Sequence, residues 1–87
     1  MTAIEIKAKI YDLQEKVESL NQEKEKVKSQ LKERLLSLSE DYFLTTEIAN
    51  AVSIKDLAFR YEEVLKEISK SIDEIENLKT TLTVLEE

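Results

Sequence analysis

Acidic side chains in close pairs come nearest, in this sequence, to catalytic equipment. Glu62 adjoins Glu63, and Asp73, Glu74 and Glu76 crowd one short stretch. Two carboxyls can share general acid and general base duties when a pocket pushes their pKa values apart. Helical spacing places these residues at solvent-facing positions, so they read instead as a solvated helix face. The other usual reactive groups are missing, because the 87 residues include no histidine, no cysteine and no glycine. A carboxylate-bridged di-metal bundle needs Glu-x-x-His ligands, a phosphate cradle needs a glycine loop, and thiol or disulfide chemistry needs cysteine. The expectation is a protein that is not an enzyme, with no catalytic, cofactor-binding or metal-binding residues and no cofactor.

The same absences shape the chain. Without glycine or proline, nothing local stops a helix, so long helices can run. Apolar residues recur at alternating steps of four and three from the N-terminus: Ile6, Ile10, Leu13, Val17, Leu20, Val27, Leu31 and Leu38. In heptad terms Ile10, Val17, Leu31 and Leu38 are a positions, and Ile6, Leu13, Leu20 and Val27 are d positions. A second tract obeys the same rule, with Ala58, Leu65, Ile72 and Lys79 at a and Ile54, Tyr61, Ile68, Ile75 and Leu82 at d. It also carries Leu57, Val64, Leu78 and Leu85 at g, which widens its apolar face beyond what one partner helix covers. Lys24 and Lys79 interrupt the seams at a positions, a device that costs stability and excludes wrong alignments.

These patterns predict an all-α fold: a long antiparallel, coiled-coil-like helical hairpin in a single domain spanning residues 1–87. The first helix covers about 3–40, a bend about 41–47, and the second helix about 47–86. Setting Ile10 opposite Leu82, Val17 opposite Ile75, Leu20 opposite Ile72 and Leu31 opposite Tyr61 matches a to d throughout and puts the turn near Thr46. Sliding by one heptad strands Leu82 and Leu85 in one direction, or Ile6 and Ile10 in the other, at about 1.5 to 3 kcal/mol per side chain. The rival is a parallel dimer through the first helix, so pairing within one chain or between chains stays open. The extra row Leu57, Val64, Leu78 and Leu85 is expected to join two hairpins into a homodimeric four-helix bundle.

Between the tracts lie apolar residues that neither seam absorbs. Phe43, Leu44, Ile48, Val52 and Phe59 are the candidate contacts for another protein. The overlapping run Thr45 to Glu62 resembles the helix-turn-helix of mercury-resistance-type regulators, which implies a short helix, a turn and a DNA-reading helix there. It departs from that pattern in lacking the turn glycine, and its reading helix sets only Lys55 and Arg60 against Asp56 and Glu62. The basic cluster Lys24, Lys26, Lys28, Lys32 and Arg34 has no interleaved aromatic on which bases could stack.

Charge bears on partners. The chain carries a net charge of -6, and residues 45–87, with five basic and ten acidic groups, hold most of it. That acidity opposes broad nucleic-acid binding. The N-terminal stretch has Glu5, Lys7 and Lys9 in place of an apolar run, so a cytoplasmic protein without membrane contact is expected. The expected function is a protein–protein interaction module, an assembly factor, adaptor or regulator acting through helical surfaces. The alternative is an acidic inhibitor that occupies a basic nucleic-acid channel of a target by charge mimicry.

Overall fold

The computed structural model describes residues 1–40 and 43–87. Among them, regular structure is helical throughout: α1 over Ala3–Ser37, a 3-10 turn over Leu38–Glu40, and α2 over Leu44–Glu86. The helices lie antiparallel and pack along their length, giving a rod of 66 × 14 × 14 Å. Its length is that of α2, whose 43 residues span about 65 Å at 1.5 Å each.

Local chemistry accounts for the ends. Thr2 caps α1: its hydroxyl oxygen accepts from the Glu5 N–H at 3.2 Å and its O–H donates to the Glu5 carboxylate at 3.0 Å, so a first-turn donor is satisfied and the acid sits at the positive helix end. At the other end the Leu38 N–H bonds the carbonyls of Leu35 and Leu36, which tightens the last turn toward 3-10 geometry. The Ser39 hydroxyl donates to the Leu36 carbonyl at 2.8 Å. Helix α2 starts without a side-chain cap from an extended Phe43, whose carbonyl accepts from the Glu47 N–H at 3.0 Å. The expected bend at 41–47 is therefore narrower on its C-terminal side, because Thr45, Thr46 and Glu47 are already helical. Asp41 and Tyr42, also within that bend, lie outside the described residues.

The inward face of α1 is the one its heptads specify. Ile6, Ile10 and Val27 are buried and Leu13, Val17, Leu20 and Leu31 half-buried along the same stripe, whereas Leu38, expected to close the seam, is exposed because α1 ends at Ser37 and Leu38 enters the 3-10 turn. Lys24, also on the seam, is half-buried and turns its ammonium to 3.9 Å from the Glu25 carboxylate, the behaviour of a stem that packs while its head reaches water.

Helix α2 faces α1 differently from its a/d pattern. Its inward stripe joins the d positions Ile54, Tyr61, Ile68, Ile75 and Leu82 to the g positions Asn50, Leu57, Val64, Ser71 and Leu78, while Ala58, Leu65, Ile72 and Lys79 are exposed. The alignment is also one heptad away from the expected one. Ile10 shares its cluster with Ile6 and Ile75, and Leu78 and Leu82 pack against that cluster. Lys16 meets Glu67 at 3.0 Å and Glu23 meets Arg60 at 2.7 Å, pairs that the alignment of Ile10 with Leu82 would hold apart. The stranding cost that favoured the other alignment is smaller than supposed. Helical side chains lean toward their own N-terminus, so Leu82 reaches back onto the cluster and only Leu85, in the last turn, stays outside.

Candidate functional site

At the turn end a buried polar side chain bridges the two helices beside the half-buried Leu31, Ile54 and Leu57. Asn50 is buried there, and its Nδ2 donates to the Arg34 carbonyl at 3.0 Å. Because the Leu38 N–H is committed to later carbonyls, this amide serves the end of α1 from across the interface, a capping role played by a residue of the other helix. A cleft of about 570 Å³ opens beside it, lined by Arg34, Ser37, Glu40, Thr46, Asn50 and Ser53.

The opposite face of the same stretch of α2 is apolar and open. Phe43 and Phe59 are 72% and 66% exposed, and Leu44, Ile48 and Val52 are exposed with them. From Leu44 the steps of four to Ile48 and Val52 keep these groups on one face, and Phe59 falls on the same face two turns later. Asn50, Ile54 and Leu57 hold the inner face, so the hairpin leaves the outer one uncovered. Four of the five residues picked out by sequence as partner contacts thus share one face of α2, while Phe43, the extended residue ahead of the helix, is exposed at the turn itself. Leu35 and Leu36 at the end of α1 are exposed as well. Sequence reasoning passed over them because they fall outside a and d, and that misfit was itself the available signal.

Three of the four residues expected to recruit a second copy sit in the hairpin's own interface. Val64 is only 6% exposed, Leu57 and Leu78 are half-buried, and Leu85 alone is exposed. The physical reason is the stripe described above: α2 turns its d/g edge toward α1, so the row left outside is the a row.

The run from Thr45 to Glu62 is continuous helix within α2. A helix-turn-helix requires a break in that run, so the resemblance to mercury-resistance-type regulators does not extend to the geometry. The paired carboxylates Glu62, Glu63, Asp73, Glu74 and Glu76 are all exposed. Glu62 is held by Lys66 at 3.0 Å along the same helix; that hydrogen bond, with the charges of Glu62 and Glu63, pushes the Lys66 ammonium above its ordinary pKa. Glu67 is pulled below the usual carboxylate range, chiefly by its hydrogen bond from Lys16 and then by that lysine's charge. Both shifts stabilise the ionised forms, the reverse of what a proton-transferring carboxyl needs. Among the described residues, no cluster of three or more acidic side chains is placed to hold a metal ion, and no helix is long and apolar enough to cross a membrane.

No protein-family model, curated protein or solved structure matches the chain.

Proposed function

We propose that this protein is a non-enzymatic interaction module that presents its turn end to another protein and associates with a second copy of itself into a four-helix bundle. The observation that carries the reading is the outer face of α2 at Leu44, Ile48, Val52 and Phe59, with Phe43 exposed at the turn just ahead of it. Lys55 lies on the same helical face. The partner that fits is an amphipathic helix with an aliphatic stripe and an acidic residue to meet Lys55. Burying two phenylalanines is worth about 3 to 6 kcal/mol at full burial, so Phe43→Ala with Phe59→Ala should weaken capture of such a helix by at least a hundredfold. The hairpin should keep its circular-dichroism spectrum, because neither ring touches the seam. Undiminished binding by the double variant would remove the surface from consideration.

A second reading is favoured by the distribution of charge. Residues 24–60 hold seven basic and six acidic groups, net +1, while the rest of the chain holds six basic and thirteen acidic groups, net -7. The end of the rod away from the turn is thus a concentrated anionic surface suited to a basic nucleic-acid channel in a target protein. Salt separates the two readings: apolar capture at the turn weakens little between 50 and about 300 mM salt, whereas charge mimicry weakens steeply as the Debye length shortens.

A further inference from the structure

We infer that the second copy docks on one particular flank of the hairpin, the one carrying Ala58, Leu65 and Ile72, and that the two turns point to opposite ends of the resulting bundle. This rests on the self-association half of the reading above and assigns it a face and an orientation.

The two flanks of the rod are chemically unlike. On one, the heptad column Lys9, Lys16, Glu23 and Gln30 of α1 runs beside the column Arg60, Glu67 and Glu74 of α2. Here the Lys16–Glu67 and Glu23–Arg60 pairs bridge the helices. On the other flank, the column Lys7, Gln14, Asn21 and Lys28 runs beside Ala58, Leu65, Ile72 and Lys79. Charges meet across it at the open end, where Lys7 lies 3.0 Å from Glu86. Between them Leu65 and Ile72 stand 42% and 41% exposed beside the uncharged Gln14 and Asn21. A row with residues this large, repeating every seven along a helix that already packs by a different edge, is a second seam without its mate.

Area indicates how large the mate is. One chain exposes 6712 Å², whereas a compact monomer of 10.1 kDa exposes about 5,300 Å². The difference, about 1,400 Å², lies within what one subunit gives up in a stable homodimer.

Self-pairing of the row sets the register. With a two-fold axis between Leu65 and Ile72, Leu65 of each copy meets Ile72 of the other, and the small Ala58 receives the stem of Lys79, an isologous contact that closes on itself. Charge then selects the orientation. With both turns at one end, the two acidic halves lie level and about 10 Å apart, the spacing of packed helices. With turns at opposite ends about this axis, the middle of the acidic stretch 61–87 sits some 16 Å along the rod from its mate as well. Combined with the lateral spacing, that puts roughly two Debye lengths between the acidic centres instead of one. Residues 44–50 then project past the other copy's last turn, which leaves Leu44 and Ile48 free at both ends of the bundle, while Val52 and Phe59, at b positions, point away from the a-row seam.

The test combines sedimentation equilibrium with a distance measurement. The unmodified chain should sediment at about 20 kDa, twice its 10.1 kDa; a monomer up to millimolar concentration would overturn the self-association reading and this assignment together. Leu65→Glu with Ile72→Glu should weaken dimerisation at least about a hundredfold, since each copy would bury charge against an apolar row. Gln30→Glu with Thr81→Glu, on the ion-paired flank, should change it only a fewfold. A dimer indifferent to the first pair would refute the flank while leaving self-association standing. Orientation is read without touching the seam. The chain has no cysteine, so Thr45→Cys takes a single spectroscopic label, and labels in the two copies should lie about 70 Å apart. A separation under about 20 Å would place the turns at the same end and overturn the orientation.

Discussion

Val64 and Leu65 are sequence neighbours that the fold treats in opposite ways, and their alanine variants test the packing of α2 directly. Val64 is buried at the α1 interface, while Leu65 lies on its flank and is 42% exposed. Val64→Ala removes two methyl groups at about 0.8 kcal/mol each, and incomplete collapse around the hole adds roughly 0.5 to 1 kcal/mol. Alanine's better helix propensity returns about 0.5 kcal/mol, leaving a net loss of about 1.5 to 2 kcal/mol. In a domain of this size that lowers the midpoint of thermal unfolding by roughly 6 to 16 °C. Leu65→Ala strips atoms that are already partly in water, so within one chain its cost is about 1 kcal/mol, smaller than that of Val64→Ala. The assay is thermal unfolding followed at 222 nm, run at two protein concentrations a hundredfold apart. Val64→Ala should lower the midpoint equally at both. Leu65→Ala should lower it less than Val64→Ala at the lower concentration and distinctly more at the higher, where the second seam is occupied. A Leu65→Ala loss that exceeds the Val64→Ala loss and ignores concentration would mean that α2 packs by its a/d edge after all, and the flank assignment would fall with it.

Two further outcomes follow from the turn and from the ion pairs. Asn50→Ala withdraws the donor held by the Arg34 carbonyl at 3.0 Å and should cost about 1 to 2 kcal/mol; hydrogen exchange should quicken in the last turn of α1 before it quickens elsewhere, and uniform loosening would argue against a capping role. Glu67 has its pKa lowered in the folded state by Lys16. The unfolded chain therefore binds the proton more readily, and the stability this pair contributes is present above the ordinary carboxylate range and lost as pH falls through the lowered value. Glu67→Gln should flatten that part of the acid-unfolding curve, and 1 M salt should do much the same to the unmodified chain; a curve unchanged by the substitution would show that the pair has no energetic role.

Most of the architecture could be read from residue types alone, and the part that could not is instructive. Seven aliphatic residues at alternating steps of four and three, Ile6 to Leu31, specify the inner face of α1, because the other large apolar residues on that helix, Ile4, Tyr11, Leu35 and Leu36, form no continuous stripe. Helix α2 has three adjacent apolar rows, g, d and a, and only two can face a single neighbour. Heptad matching chose d with a, as for a two-stranded coiled coil. The fold chose d with g, and the small Asn50 and Ser71 in the g row help to explain it. Ser71 is almost completely buried, and its size lets the helices approach closely at that level, whereas Asn50 gains the Arg34 carbonyl. Neither benefit shows in a pattern that scores residues only as apolar or polar. The turn moved for the same reason, since an alignment shifted by one heptad closes the hairpin nearer the end of α1.

The candidate surfaces follow from this choice of edge. Ile48, Val52 and Phe59 were legible because they sit at e and b positions, outside both possible inner edges, so their exposure survives the shift; Phe43 and Leu44 are exposed because they lie at the turn, at the very start of α2. The row left uncovered on α2 was not, because Leu57, Val64 and Leu78 are surplus only if a with d is the inner edge. Once g takes that place, surplus status passes to Ala58, Leu65 and Ile72, which the heptads had assigned to the core. A helix with three apolar rows has one to offer elsewhere whichever pair it uses internally. That it has a row to spare is a property of the sequence, while the identity of the row is decided by the contact that forms within the chain. The two apolar surfaces therefore depend differently on how α2 packs. Leu44 and Ala51 continue the a row toward the turn, and a change that forced α2 onto its a/d edge would bury Leu65 and Ile72 while Val52 and Phe59 stayed outside. Self-association should then fail although its row had not been touched, and capture of a partner helix should persist.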